Sequence, residues 1–588
     1  MSLFDDASLV LIPDGAKDGK LYSVKPTDGT GDFTFTRASS ATRVNSDGLI
    51  EKETQNIVLY SNDFSQSNWV QVSTTRTSGE SGYDGTNDAW ELVRSSGGTL
   101  ILNQALSLSG VYTLSCYVKI NASNGFGIGF SSSAYALFNI SDALQTSAVF
   151  TNNLISSSIT YVGNNFYRIT VTGNGSFNQV RLINAVVNGS STSSGGGTHI
   201  VQDVQIEQGL VARDYIETTT TAVYGGITDN IPRLDYTDAS CPSLLLEPQR
   251  TNLCPHSEYI EGLGLTDLTA TPNATTSPEG VQNAYKMLTG TGGSEQIAYQ
   301  AVGTSGNTKT QSVYIKADSG VQWIRLIQVR AGFANSASTH FDIQNGVKGA
   351  KEENGTTSVV DDATKIEDVG NGWYRLTLVC TDSTNNTNFD TRVRTAIADG
   401  SLTRVSNGSY FVWGYQMESD ASYPTSYIPT YGTSVTRNID ICIKTSATSL
   451  IGQTQGTFFI EFVPLTLDPM DIFYFNQTTS SSVHLRGSNP INARIRIGSF
   501  SFQVNGGNIS VAQTYKVAVV YDESFGLKLF VNGVKYENNT PFTFAASLDT
   551  IVINTTAFWI GDGAIENKQS LVFPTALTDS ECIALTTI

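Results

Sequence analysis

Few residues in this 588-residue chain are of types that do chemistry, and they are widely spaced. The four histidines, His199, His256, His340 and His484, stand in four separate contexts, and none belongs to an HExxH zinc motif or a nucleophile motif. Three of those contexts are polar loops or edges, which predicts solvated surface side chains. The six cysteines (Cys116, Cys241, Cys254, Cys380, Cys442, Cys582) include no CxxC pair. They give neither a zinc site nor a disulfide frame, and read as small, reduced apolar residues. Paired carboxylates occur at Glu352-Glu353 and Asp361-Asp362. A glycosidase needs two carboxyls held about 5–9 Å apart across a cleft, whereas adjacent loop acids are ordinarily solvated. The expectation is a non-enzymatic protein with no catalytic residue, no metal-ligand set and no cofactor.

Binding chemistry has a better footing. Runs such as YTLSCYVKI (112–120), FYRITVTG (166–173), QSVYIKA (311–317) and WYRLTLVC (373–380) alternate with period two, as half-buried strands do. Leu114, Cys116 and Val118 then share one face, while Tyr117 and Lys119 take the other, with Arg168 on the next matched strand. The same phase puts Val313 and Ile315 inside and Tyr314, Lys316 and Arg375 outside. Tyr117, Lys119, Arg168, Tyr314, Lys316 and Arg375 are therefore the candidate glycan-binding residues, stacking on sugar rings and donating to hydroxyls. The competing reading makes them cross-strand partners, with Lys and Arg stems laid over apolar surface.

The elements that must position these residues repeat. TLSCYVKINASNG (113–125) matches TQSVYIKADSG (310–320), GNNFYRITVTG (163–173) matches GNGWYRLTLVC (370–380), and VQIEQGLVARDYIETT (204–219) matches YQMESDASYPTSYIPT (415–430). NIVLYSNDF (56–64) also matches NLCPHSEYI (252–260). Blocks recurring in one order at a shift of about 200 residues mean duplicated domains, not solenoid units. The expected organisation is an N-terminal segment 1–55, a β-sandwich at 56–218, a connector at 219–251, a second sandwich at 252–431, a linker at 432–447 and a jelly roll at 448–588. In the connector, the apolar burst Leu244 to Leu246 predicts docking on a neighbouring domain. In the last region, Asn532-Gly533 predicts a tight hairpin, and Thr578 with Glu581 a capping box opening a terminal helix.

Composition agrees with an all-β, multidomain chain of sandwiches and jelly rolls. Charged residues are 15% of the chain, glycine is frequent at 53, and 39% apolar residues are enough to build cores. A net charge of −18 repels phosphate backbones, which excludes nucleic acid as the expected partner. No apolar run approaches the roughly 18 residues of a membrane span, and the first residues lack a signal-peptide pattern. Membrane insertion is therefore not expected.

Two resemblances extend this reading. In the last 140 or so residues, a strand ending Tyr521-Asp522, a Leu-Phe-Val-Asn-Gly hairpin, a Trp-Ile-Gly strand and the terminal Ala-Leu-Thr-Asp-x-Glu segment together resemble concanavalin-A-like, laminin-G-like jelly rolls. Members of that family bind glycans or proteins. The opening is similar to head-fibre-like and tail-fibre-like structural proteins of tailed phages, including crAss-like ones. Thr36-Arg37-Ala38-Ser39 and Glu247-Pro248-Gln249-Arg250-Thr251-Asn252 carry that likeness. The duplicated domains also look like the carbohydrate-binding-module jelly rolls of such proteins. The resemblance implies a virion-surface protein made in a host cytoplasm and contacting host or environmental glycans. It would be a homo-oligomer held to capsid or tail proteins through residues 1–55. A glycan-binding adhesin is the alternative, with a capsule-degrading hydrolase behind it.

Overall fold

The computed structural model describes residues 3–94, 101–120, 125–140, 153–184, 197–237, 240–301, 306–330, 332–384, 388–476, 480–555 and 563–588. Among these the chain is built almost wholly of antiparallel strands, with short helices at Leu3–Asp6, Ile260–Gly262 and Asp579–Thr586. It is a multidomain all-β protein of three sandwiches.

The first sandwich is one nine-stranded sheet that curls into two layers. Two long strands, Ile101–Ile120 and Phe166–Asn184, run through both layers and pair along most of their length. A register shift between Ala105 and Leu108 marks where the pair bends. Leu114, Cys116, Val118, Ile169 and Val171 fill the core between the layers, as their alternation predicts. The second sandwich repeats this topology, with each long strand broken in two. Thr308–Ser319 and Trp373–Asp382 pair in a seven-stranded sheet, while Gln296–Ala301 and Phe389–Ala396 pair in a six-stranded one. The cross-strand pair Tyr117–Arg168 of the first sandwich recurs as Tyr314–Arg375 in the second.

The C-terminal sandwich recruits strands from far along the chain. Leu9–Leu11 pairs with Ile565–Phe573 in its eight-stranded sheet, and so does Ser243–Leu246. In its nine-stranded sheet, Phe33–Thr36 pairs with Ile441–Lys444, which continues onto Ile551–Thr555. Leu9, Leu11, Leu21, Phe33, Phe35, Leu244, Leu246 and Cys442 accordingly join the same core as Phe458, Ile472 and Val519. Residues expected as an N-terminal segment, a connector and a linker thus contribute strands to this sandwich. The apolar burst at Leu244–Leu246 docks there, laddered to Ile565–Asn567 with Leu244 and Leu246 in the core. Asn532 and Gly533 both take positive φ, 48° and 81°, giving the tight hairpin. Thr578 and Glu581 make a reciprocal capping box on Asp579–Thr586. The Trp-Ile-Gly strand of the jelly-roll resemblance falls at 559–561, outside the described residues.

The sandwiches are pressed together. Val111 and Leu210 of the first sit in the core cluster of the second. The Val111 amide donates to the Tyr431 carbonyl at 2.9 Å. Gly110 beside it has φ 117°, and a Cβ there would meet that same carbonyl oxygen at 2.0 Å. Only glycine permits this approach.

Candidate functional site

The six residues singled out for sugar binding occupy equivalent places in the two duplicated sandwiches. Tyr117 stacks on Tyr83 with ring centroids 3.7 Å apart, and the Arg168 guanidinium lies 5.3 Å from the Tyr117 ring. Arg168 donates to Ser115 Oγ at 3.2 Å and to the Arg213 carbonyl. Tyr314 packs edge-on to Trp413, and Arg375 lies 5.5 Å from its ring. Arg375 donates to Ser312 Oγ at 3.1 Å and to the Thr425 carbonyl at 2.7 Å. Lys119 lies 5.7 Å from the Phe166 ring, and Lys316 is half-buried in register with Trp373 and Phe411. These side chains do lie on the face opposite the core, but that face is covered. Tyr117 is 7% exposed and Tyr314 4%. The chain after each sandwich folds back over it, tied by Gln205 Oε1 to the Ile216 amide and by Gln416 Oε1 to the Ile428 amide, at 2.8 and 2.7 Å.

Charged groups converge at two junctions. Arg37, Arg233, Arg437, Glu247 and Asp440 form a fully buried cluster: Arg37 and Arg233 bridge Asp440, while Arg233 and Arg437 bridge Glu247. Burial pushes the Glu247 carboxyl up, but Arg437 and Arg233 outweigh it and hold the group at about 2. At the other junction Lys52 bridges Glu258 and Glu279 at 2.6 and 3.0 Å, and Arg213 bridges Glu207 and Glu279. A cavity of about 580 Å³ opens beside it, lined by Lys52, Arg168, Arg213, Tyr215 and Glu279. Its charged walls already pair with one another, so both junctions act as interdomain fasteners. The Arg37 and Glu247 stretches that carry the phage-protein resemblance are part of the first.

The histidines depart from the sequence expectation of surface solvation. His199, His340 and His484 are buried. His199 Nδ1 pairs with Asn184 Oδ1 at 2.7 Å, His340 with the Ala350 and Ser401 carbonyls, and His484 with Ser482 Oγ. Each stands on a strand covered on both faces, where polar neighbours do not signal solvent. Five cysteines are buried and Cys241 is exposed; burial raises the Cys254 thiol to about 12. No cluster of three potential metal ligands occurs among the described residues.

A polar face, half-buried apart from the exposed Phe333 ring, lies on the six-stranded sheet of the second sandwich. Strands Trp323–Arg330 and Phe389–Ala396 put Arg325 opposite Arg394 and Ile327 opposite Arg392. Gln296 Oε1 accepts from Arg392 Nη1 at 3.1 Å and from Arg394 Nη2 at 2.6 Å. Arg392 also bridges Asp390 at 2.7 Å, and Arg325 bridges Glu352 and donates to Ser338 Oγ. The Phe333 ring, 51% exposed, lies 4.5 Å from the Arg392 guanidinium and 5.4 Å from that of Arg394. Trp323 is half-buried at the same sheet's edge of the array. Partial burial, and then the charges of Arg404, Arg392 and Arg325, pull Arg394 down to about 10. Sequence reasoning passed over this face, although FDTRVRTA places Asp390, Arg392 and Arg394 on one side by the same period-two rule.

No family model matches the chain, and no curated protein matches it. Solved structures do. The CBM40 of Ruminococcus gnavus IT-sialidase bound to α2,3-sialyllactose is 20% identical, covering 24% of this chain and 87% of that one, with a TM-score of 0.21. Domain 4 of AbnA, a GH43 extracellular arabinanase from Geobacillus stearothermophilus, in complex with arabinotriose, is 17% identical over 25% of this chain and 73% of its own, at 0.21. Domains LG4-5 of the mouse laminin α1 chain are 9% identical over 49% and 92%, at 0.17. At such scores these likenesses say nothing of what this chain binds.

Proposed function

We propose that the chain is a non-enzymatic glycan-binding protein that reads sugars on the outer face of the second sandwich's six-stranded sheet. The observation that carries this is the exposed Phe333 ring lying against the paired donors of Arg392 and Arg394, with Arg325 in register opposite Arg394 and Trp323 two positions along the same strand. Aromatic rings offer a sugar its apolar face, and immobilised guanidiniums offer hydrogen bonds without a further ordering cost. The covered Tyr117 and Tyr314 sets serve instead as cross-strand fastening. A non-catalytic role is supported by the acids themselves: Glu352 is tied to Arg325, Glu353 to Lys351 and Asp361 to Lys348. We place the protein on the surface of a tailed-phage particle, a setting that rests on the Arg37 and Glu247 sequence stretches.

A glycan array probed with the full chain, beside Phe333→Ala and Trp323→Ala, tests the binding reading. Selective signal that both substitutions reduce about tenfold is expected, since an aromatic–sugar stack contributes on the order of 1–2 kcal/mol. An array without signal, or one indifferent to both variants, overturns it. Mass spectrometry of purified particles tests the setting separately.

A further inference from the structure

We infer that the ligand of this face carries a carboxylate, making it an acidic rather than a neutral sugar; this rests on the glycan-binding reading above. Neutral sugars present hydroxyls that both donate and accept, and sites for them mix amides, carboxylates and hydroxyls. On this face the Gln296 amide and the Asp390 and Glu352 carboxylates are each engaged by an arginine, so what it turns to a ligand is chiefly guanidinium donors. A guanidinium has five N–H donors and no acceptor, and its planar fork matches a carboxylate.

The donors outnumber their partners. Arg325 and Arg392 each bridge a carboxylate, Glu352 and Asp390. Among the described residues, Arg394 shares the single amide oxygen of Gln296 with Arg392 and has no carboxylate among its hydrogen-bond partners. Arg404, in the loop that borders the sheet, has Nη1 buried without a hydrogen-bond partner. The nearby Glu295 is held by the Thr395 hydroxyl at 2.6 Å. In a chain of net charge −18, this face gathers four guanidiniums, and Arg394, besides its burial, feels the charges of Arg404, Arg392 and Arg325 with Glu295 offsetting part of them.

The duplication supplies an independent comparison. Strand pairing aligns Gly129 opposite Arg181 and Gly127 opposite Ile183 with Ile327 opposite Arg392 and Arg325 opposite Arg394. Ile128 and Leu326, between them, both face the core. At the places of Arg325 and Arg394, then, the first sandwich has Gly127 and Ile183, and its face there is apolar, with Leu137, Ile183 and Tyr135 packed together. The scaffold folds without those two arginines, so packing does not require them. A carboxylate seated on Arg394, with the charge of Arg404 adding from beneath, would complete the Arg394 fork while its sugar ring lies against Phe333.

Titration calorimetry on the full chain tests this with four probes: tetragalacturonate, its carboxyl-reduced neutral counterpart, sialyllactose and lactose. Binding of at least one acidic probe, at least tenfold tighter than its neutral counterpart and weakening with salt, is expected. Arg394→Gln and Arg404→Gln should each lose about tenfold or more with unchanged melting temperature, while Arg181→Gln in the first sandwich changes nothing. Acidic and neutral probes binding alike overturns the carboxylate inference, as does an Arg394→Gln and Arg404→Gln pair that binds like the parent. If neutral probes bind and Phe333→Ala abolishes it, the glycan reading stands and this inference falls. If no probe binds, this inference fails whatever the wider array shows.

Discussion

Asn252 is fully buried and each end of its amide is doubly bonded. Nδ2 donates to the Tyr415 and Ile428 carbonyls at 3.2 and 2.9 Å, and Oδ1 accepts from the Cys254 and Met417 amides, both at 3.1 Å. Asn56 makes the same four bonds in the first sandwich, to Val204, Ile216, Val58 and Ile206. Each asparagine ties the first strand of its sandwich to the returning chain, beside the backbone bonds Ile57–Ile206 and Leu253–Met417. Asn252→Ala strands buried backbone groups and should cost about 3 kcal/mol in chemical denaturation. An undiminished midpoint would show that water replaces the amide. Asp203 behaves differently. Burial, against the Tyr83 hydrogen bond, raises its carboxyl to about 7, so the folded state holds a proton the unfolded chain has released. That penalty is absent below the ordinary value near 3.8, builds as pH rises toward 7, and is complete above it. Asp203→Asn should therefore raise the melting temperature at pH 8 by about 2 °C or more and change little at pH 3.5. A gain of equal size at both values would refute the titration account. At this scale the strand phase of Tyr117, Arg168, Tyr314 and Arg375 was legible from alternation. That their face is covered was not, because the covering chain returns from about 45–50 residues away through side-chain bonds without periodicity.

Among the elements, the N-terminal strands decide most. The sequence reading makes residues 1–55 an N-terminal segment that holds the chain to capsid or tail proteins. Their strands instead pair in the C-terminal sandwich, with Leu9 opposite Val572 and Phe35 opposite Cys442. Local pattern marks a strand but not its distant partner, and this pairing closes nearly the whole chain into one loop. Leu9, Leu11, Leu21, Phe33 and Phe35 are at most 1% exposed, each contributing about 1.5–3 kcal/mol as an upper estimate. Deleting residues 1–36 should strip hydrogen-exchange protection from Ile565–Phe573 and Ile441–Lys444 while Thr308–Ser319 keeps it. Retained protection in Ile565–Phe573 would mean that the sandwich stands without the N-terminal strands. The duplicated sandwiches were legible because their turns and alternation repeat in order. The third was legible only in its own hairpins, since seven of its strands lie outside 448–588.

For the molecule as a whole, the buried charges at the two junctions determine whether the three sandwiches behave as one body. Arg37, Arg233, Glu247, Arg437 and Asp440 come from the stretches that run between sandwiches, and Glu247 is further held by the Ser426 amide and hydroxyl of the second. Lys52, Glu207, Arg213, Glu258 and Glu279 tie the first sandwich to the second. Such clusters add little net stability over apolar packing, but losing one partner costs about 3–5 kcal/mol because a charge is left buried alone. Their carboxylates also set a pH window. Against burial, Arg437 and Arg233 hold Glu247, and Arg213 and Lys52 hold Glu279, at about 2, below the ordinary value of 4.5. Groups depressed in this way contribute stability that is complete above about 4.5 and is lost as pH falls toward 2. Calorimetry of the full chain should give one cooperative transition at pH 7 and separate, lower transitions by pH 3 as the junctions release. Glu247→Gln should lower the pH 7 transition by breaking the cluster and flatten the acid dependence, since the titrating group is gone. A parent whose melting stays level from pH 4.5 to 2.5, or a variant with an unaltered acid slope, would place the coupling between sandwiches in apolar contacts such as Val111 and Leu210 rather than in these charges.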